Sequence, residues 1–316
     1  MSTGLLRPQP NFKMKKSLST WPELPTPDEW SEALENLHLW SQIVGKLKLK
    51  NSPWINHSWH TTFYVSATGV TTLLIPRHNG GFEIAFNFID HRLDIHTVNG
   101  EKHQFPLEPM TVADFYERLT GKLNELGITT AIYDKPVELP DPIKRFPENR
   151  DHIAYDAEST QRFWRALTDA SRVFTQFRAG FTGKSSPVHF FWGAFDLAVT
   201  FFSGRTAPEH PGGVPNCADW VMQEAYNREL ASFGFWPGTG YGEAAFYAYA
   251  YPEPDGYRSA ESLPEGAYYE ESLGEYLLPY RAVRNSPNPD KTLLTFLEAT
   301  RDAALKNGNW NQSLLK

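Results

Sequence analysis

Hydrophobic side chains recur along the chain with two periods, one typical of helices and one typical of strands. After Thr26-Pro27-Asp28-Glu29, a sequence typical of helix starts, large apolar residues follow at helical spacing, so a helix is predicted over 27–48. The same spacing predicts further helices over 111–127, 156–180 and 292–308, and a shorter one over 217–232. Alternating, β-branched or aromatic residues predict strands over 58–67, 70–76, 82–88, 91–98, 101–105 and 243–251.

The segment Ser186–Arg205 is apolar enough to form a buried strand pair, yet it contains His189, Asp196 and Arg205. Polar groups in a core cost free energy unless they have partners, so these residues form either a structural network or a site. In a hairpin, His189 begins the first strand and Arg205 ends the second, so both reach one edge of the sheet. We therefore expect His189 and Arg205 to face a cleft between two halves of the protein, and Asp196 to find its hydrogen-bond partners in the interior.

The two parts of the chain follow one plan: a long helix, a Ser-Pro break, a strand pair ending at glycine, an aromatic strand and a closing helix. In this plan FEIAFNF (82–88) is equivalent to AFYAYAY (245–251), and the shared order predicts an internal duplication. The predicted fold class is α+β, with two pseudo-symmetric halves, each an antiparallel sheet covered by helices. The predicted division is a flexible tail over 1–20, a first half over 21–127, a connector over 128–155 and a second half over 156–316.

Composition narrows the classes of protein to consider. With 316 residues, 41% of them hydrophobic and 21% charged, the chain is typical of globular proteins, but 14% aromatic content with 10 Trp is high. A net charge of −7 without a basic stripe argues against nucleic acid, and no apolar run reaches the roughly 18 residues of a membrane span. A single cysteine, Cys217, and no signal-peptide pattern predict a cytoplasmic protein without an internal disulfide.

Histidines cluster around Trp59, at His57 and His60, with Asp90-His91 further along the chain. Because His57 and His60 point to opposite faces of a strand and no third ligand follows at a recognisable spacing, no metal site is predicted. The sequence also lacks a nucleophile elbow, a phosphate-binding loop and a dinucleotide fingerprint, so no cofactor is predicted.

Cations gather around the central segment at Arg178, Lys184, His189 and Arg205. Such a group suits a carboxylate or phosphate ligand, which arginine binds with two hydrogen bonds. The alternative is that Asp196 pairs with one arginine inside the protein, and the sequence leaves both interpretations open.

Acidic residues lie near the aromatic strand, at Glu224, Glu243 and Glu253. Two facing carboxyls serve as acid and base in glycoside hydrolysis, but Glu224 is equally an i,i+4 surface partner of Arg228. Aromatic side chains suited to the walls of a ligand cleft are Trp59, Trp192, Trp236 and Tyr247.

Five segments carry a family resemblance: LHLWSQIVGKLKL (37–49), NHSWHTTFYVSATGVTT (56–72), SPVHFFWGAFDLAVTFFSGR (186–205), GFWPG (234–238) and FYAYAYPEP (246–254). They resemble domain-of-unknown-function family 5996, a largely bacterial group, over about residues 21–310. The resemblance implies a stand-alone cytosolic protein and carries over no activity, cofactor or catalytic residue.

The leading functional hypothesis is the binding of a small polar or anionic ligand in an aromatic-lined cleft between the two halves. The alternatives are a non-catalytic protein-interaction module and a hydrolase that uses paired carboxylates or histidines. The sequence does not indicate the oligomeric state.

Overall fold

Two antiparallel sheets of six strands each, with helices around them, organise the part of the chain that the computed structural model describes, residues 20–78, 80–128 and 131–315. This confirms the predicted α+β class with two halves. The predicted tail, 1–20, lies outside the described residues except for Thr20. The first sheet contains β1 (Tyr64–Val65), β2 (Gly69–Thr71), β3 (Ile75–Arg77), β4 (Gly80–Asn87), β5 (Arg92–Thr97) and β6 (Lys102–Pro106). The second contains β7 (His189–Phe191), β8 (Asp196–Thr206), β9 (Arg228–Trp236), β10 (Ala245–Tyr251), β11 (Tyr268–Glu270) and β12 (Glu275–Pro279).

The helices begin where the sequence supplies caps. Side-chain oxygens of Thr111, Asp156 and Asn288 accept hydrogen bonds from backbone N–H groups of the first turns that follow them. The described helices are α1 (Ser31–Asn51), α2 (Val112–Glu125), α3 (Ala157–Ala179), α4 (Asp219–Ala225), α5 (Tyr280–Asn285) and α6 (Pro289–Asn307). A 3-10 helix, Pro27–Trp30, leads into α1.

The two sheets meet edge to edge. The strand order is β1-β2-β4-β5-β6 in the first sheet, with β3 also paired to β4, and β11-β12-β10-β9-β8-β7 in the second. Phe63, just before β1, exchanges two backbone hydrogen bonds of 2.8 Å with Phe190 of β7. The edge strands β1 and β7 therefore lie side by side at the junction of the halves.

Helix α1 packs against both halves. Trp40 stacks on Phe115 of α2 with ring centroids 4.9 Å apart, and the indole of Trp192 from the second half lies directly against Gly45. A one-sided amphipathic stripe was expected for this helix, but most of its length is buried, including Lys46 and Lys48. Contact on both sides explains this, because a helix between two packing partners has little solvent-exposed face.

Three sequence predictions differ from the structure. The helix predicted over 217–232 is wrong in its second part, because α4 ends at Ala225 and β9 begins at Arg228. In β9, Ala231, Phe233 and Phe235 alternate into the core, which is strand periodicity. The strands predicted over 58–67 and 70–76 are much shorter, since a 3-10 helix ends at Ser58, a turn and a bend occupy 59–61, and 72–74 lie outside any strand. No helix or strand was predicted over 252–289, but this segment contains β11, β12 and α5.

The two halves share a helix, a meander of antiparallel strands and a closing helix, but they differ in detail. Counted from the junction, β4 is the third strand and β10 is the fourth, so the aromatic strands compared in the sequence hold different positions. In addition, β12 lies between β10 and β11, which breaks the meander order. Internal duplication stays a prediction.

Candidate functional site

The second sheet has one face packed on helices and one face that carries polar and aromatic side chains. Phe235 and Phe246 face the helices, where their rings lie 6.0 Å from Phe163 and 6.3 Å from Phe174 of α3. Strand pairing places the alternate residues on the opposite face. We call this the tyrosine face, defined by Asp196, Ser232, Trp236, Tyr247, Tyr249 and Glu275.

Asp196 and Tyr247 form a hydrogen-bonded pair in the tyrosine face, with the phenol donating to the carboxylate. The ring of Tyr247 lies over Gly234, where an added Cβ would come within 2.1 Å of it, so only glycine leaves room for this ring. Asp196 is 6% exposed, and its burial raises its pKa to about 6. Burial also raises the pKa of Tyr247 well above its usual value.

Two further carboxyls lie close enough to Asp196 to sense its charge. Glu138, in the connector, lies against Gly193, and Glu275 begins β12. Burial, and secondly the charge of Asp196, raise the pKa of both glutamates to about 7. Glu138 keeps an exposed surface and Glu275 is half-buried, so both residues reach solvent. Within the described ranges, neither carboxylate has a hydrogen-bond or ion-pair partner.

Tyr226 and α1 complete the surroundings of the tyrosine face. Tyr226, at the end of α4, shares a 2.7 Å hydrogen bond between its hydroxyl and that of Tyr249. Burial raises the pKa of Tyr226 to about 12, so both phenols stay protonated at neutral pH. Gln42 of α1 binds the backbone N–H and carbonyl of Val137, each at 2.9 Å, and thereby fixes the neighbouring Glu138.

The structure brings four of the predicted site residues together: His57, Trp59, Lys184 and Glu224. The imidazole of His57 lies 2.9 Å from the carbonyl of Ala225 through Nδ1 and 2.9 Å from Lys184 Nζ through Nε2. This network assigns Nδ1 as donor and Nε2 as acceptor in neutral His57, whose pKa is lowered mainly by burial. Glu224 accepts the backbone N–H of His57, and Lys184 lies 5.4 Å from the centre of a Trp59 ring. His57, Lys184 and Glu224 therefore have hydrogen-bond partners within this group of residues.

Four other predicted residues lie around this group. His60 contacts the backbone of Ile55 through Nδ1 at 3.2 Å, and Trp192 donates to the carbonyl of Thr61 at 2.8 Å. Arg178 donates to the carbonyl of Ser186 at 2.6 Å. His189 is fully buried and its two ring nitrogens have no partner among the described residues.

Arg205, Glu243 and Glu253 hold positions elsewhere. Arg205 pairs with Glu229 and donates to the backbone carbonyls of Gly308 and Asn309, so it joins β8 to the end of α6. It lies beside a cavity of about 210 Å³, away from the junction where it was expected. Glu243 pairs with Arg281 at 2.9 Å, and Glu253 pairs with Arg258 at 2.7 Å. Glu243 and Glu253, which were predicted as site carboxyls, therefore form ion pairs with arginines. The carboxyls whose charges interact are instead Asp196 with Glu138 and Asp196 with Glu275.

Glu138 and Glu275 were missed by sequence reasoning. Glu138 stands in a proline-rich connector without periodicity, and Glu275 begins a strand in a segment where no strand was predicted. The one available signal was the alternation of tyrosines in AFYAYAY, which places Tyr247 and Tyr249 on one face.

Two further properties concern the described part of the chain. No three His, Cys, Asp or Glu side chains there are arranged to hold a metal ion. None of the helices described is long and apolar enough to cross a membrane. The absence of a metal or cofactor from the protein stays a prediction.

Comparison with known proteins places the chain in a family without assigning a function. No curated protein and no solved structure matches it. A family model described as a family of unknown function (DUF5996) matches residues 21–316, which is nearly the whole chain. The chain therefore belongs to the family of unknown function DUF5996.

Proposed function

We propose that the tyrosine face, together with the nearby Glu138, binds a small polar molecule that is neutral or positively charged. The observation that carries this proposal is the Asp196–Tyr247 pair beside two carboxyls without partners. A fold gains nothing by crowding carboxyls in a partly buried place, so such groups are candidates for a functional site.

The charge of this site favours one class of ligand. The charge of Asp196 raises the pKa of Glu138 and of Glu275, and no lysine or arginine among the described residues pairs with these three carboxyls. A ligand that brings a positive charge or hydroxyl donors relieves this repulsion, whereas an anion adds to it. The hypothesis of a polar or anionic ligand is therefore narrowed, at this site, to polar ligands that are not anionic.

The aromatic side chains suit the same class of ligand. The rings of Tyr247 and Tyr249 are stacked with centroids 6.0 Å apart, and Trp236 lies 5.8 Å from Tyr247. Such rings offer flat apolar surfaces to the faces of sugars and electron-rich faces to ammonium groups.

Thermal unfolding of the purified protein with a panel of probes tests the proposal. The panel contains glucose and inositol as neutral probes, choline and spermidine as cations, and citrate as an anion. We expect at least one neutral or cationic probe to raise the melting temperature, because a ligand that binds only the folded state stabilises it. That rise should disappear in Asp196→Asn and in Glu138→Gln.

Glu243→Gln is the matched control, since Glu243 is a carboxyl just before β10 that pairs with Arg281 outside the tyrosine face. It should respond to the probes as the unchanged protein does. The proposal is overturned if citrate alone stabilises the protein through Asp196, or if the two site variants respond like the unchanged chain.

A second candidate function, acid–base hydrolysis, is favoured by one further observation. The pKa values of Asp196 and Glu138, about 6 and about 7, suit groups that exchange protons near neutral pH. Carboxyl pairs of this kind act as acid and base in glycoside hydrolysis. Turnover of 4-nitrophenyl glycosides with a bell-shaped pH profile, lost in Glu138→Gln, would support it, and binding of glucose without turnover would contradict it.

A further inference from the structure

His189 is a fully buried polar side chain at the start of β7. It is 0% exposed, and neither Nδ1 nor Nε2 has a hydrogen-bond partner among the residues described. Its neighbours are aromatic rings: Phe191 at 4.7 Å and Trp59 and Tyr64 each at 6.4 Å, between ring centroids. A buried donor or acceptor without a partner is costly, so native proteins rarely retain one without a reason.

Lys48 of α1 is a second buried polar side chain beside the ring of Tyr64. Its Nζ lies 5.4 Å from the centre of that ring, and the residue is 7% exposed. Its ammonium donates to the carbonyl of Thr62. Within the described ranges it has no carboxylate partner, although a buried cation is normally paired. Lys48 and Arg178 are also the charged groups whose potential reaches His189.

We infer that His189 and Lys48 form a binding site for a small oxyanion, a carboxylate or a phosphate, at the junction of the two sheets. One oxyanion accepts a hydrogen bond from an imidazole N–H and another from the ammonium, which supplies both missing partners. Arg178 adds positive potential, and none of the acidic side chains that the structure describes contributes at His189. The site is separate from the tyrosine face and does not depend on the function proposed for that face.

Burial lowers the pKa of Lys48 to about 8 and that of His189 to about 3. At pH 7 the lysine is therefore mostly charged and the histidine neutral, so one cation and one neutral N–H face the anion. The site sits where Phe63 and Phe190 join the sheets, so an anion bound there would connect the first half, through Lys48, to the second, through His189.

Thermal unfolding at pH 7 and constant ionic strength tests the inference with acetate and inorganic phosphate as probes, each replacing chloride. We expect the melting temperature of the unchanged protein to rise with the concentration of at least one probe. A response to acetate alone identifies a carboxylate site, and a response to phosphate alone identifies a phosphate site. The response should be lost in Lys48→Met and in His189→Phe.

Lys50→Met is the matched control, because Lys50 lies on the same helix and is exposed. It should keep the full response. Without either probe, His189→Phe should melt above the unchanged protein, since phenylalanine removes the two unpartnered nitrogens. The inference is overturned if neither probe stabilises the unchanged protein, or if Lys48→Met responds as Lys50→Met does; the second comparison stands even where His189→Phe fails to fold.

Discussion

The hydroxyl of Tyr247 on β10 donates a hydrogen bond to the carboxylate of Asp196 on β8, and the tyrosine ring crosses Gly234 on the strand between them. This contact joins three neighbouring strands on the face of the sheet away from α3. It also holds a carboxyl in a buried place, where ionisation is disfavoured. The stability of the protein should therefore depend on pH through this pair.

Replacing Asp196 by asparagine should reveal that dependence. Burial raises the folded-state pKa of Asp196 from 3.8 to about 6. A carboxyl of this kind contributes stability below its unfolded pKa, and that contribution is lost as the pH rises through the folded pKa. The asparagine amide would keep an oxygen acceptor for Tyr247 without a charge. The difference in the free energy of unfolding between Asp196→Asn and the unchanged protein should therefore shift in favour of the variant as the pH rises. From about pH 4 to about pH 7 the expected shift is roughly 1–3 kcal/mol.

Urea unfolding at the two pH values measures this difference, with Glu243→Gln as the control because that carboxyl is ion-paired near the surface. A loss of stability in Asp196→Asn that is equal at both pH values would show that burial does not disfavour the ionised carboxyl.

Gly234→Ala tests the packing of the Tyr247 ring. A methyl group at this position would overlap the ring, so the tyrosine must move and its hydrogen bond to Asp196 is lost. We expect a loss of about 1–3 kcal/mol in the free energy of unfolding, typical of overpacking. Gly121→Ala is the control: nothing lies within 4 Å of its added Cβ, and its place inside α2 predicts a gain of up to about 1 kcal/mol. Equal effects of the two substitutions would contradict the close packing at Gly234.

Arg205→Ala tests whether Arg205 stabilises the fold and does not bind the ligand. From the sequence, Arg205 was expected to face a cleft, among cations suited to a carboxylate or phosphate ligand. Its guanidinium instead joins Glu229 to the carbonyls of Gly308 and Asn309. Because the group is half-exposed, we expect a loss of about 1 kcal/mol in stability and unchanged binding at the tyrosine face.

Arg281→Ala serves as the comparison, since Arg281 is more exposed and pairs with Glu243 alone among the described residues. It should change the melting temperature less than Arg205→Ala does. Loss of probe binding in Arg205→Ala, without loss of stability, would restore the original interpretation.

Elements with strong local periodicity were predictable from the sequence. The long helices α1, α3 and α6 and the strands β4 and β10 all lie close to the predicted ranges, because their apolar residues repeat with a single period. The first part of β9, 228–232, was predicted as helix, since the alternation of Ala231, Phe233 and Phe235 becomes decisive only when β8 and β10 pair on both sides. The glycine in this strand, Gly234, is explained by the ring of Tyr247 from the neighbouring strand.

The candidate site was predictable only in part. Asp196, Trp236 and Tyr247 were singled out, but Asp196 was assigned a purely internal role. Glu138 could not be found, because contacts distant in the sequence fix its position: Gln42 binds the preceding residue and Pro215 accepts the N–H of Glu138 itself. Periodicity does not report such contacts.

The central claim is that the ligand binds at the tyrosine face, and NMR with ¹³C-labelled tyrosine rings tests it most directly. Tyr247→Phe and Tyr249→Phe assign the two resonances, and Tyr133, which is 62% exposed on the connector, is the internal reference. Titration with the neutral or cationic probe that stabilises the protein most should shift the signals of Tyr247 and Tyr249 and leave that of Tyr133 unchanged. Saturating binding that moves neither Tyr247 nor Tyr249 would place the ligand elsewhere and contradict the account.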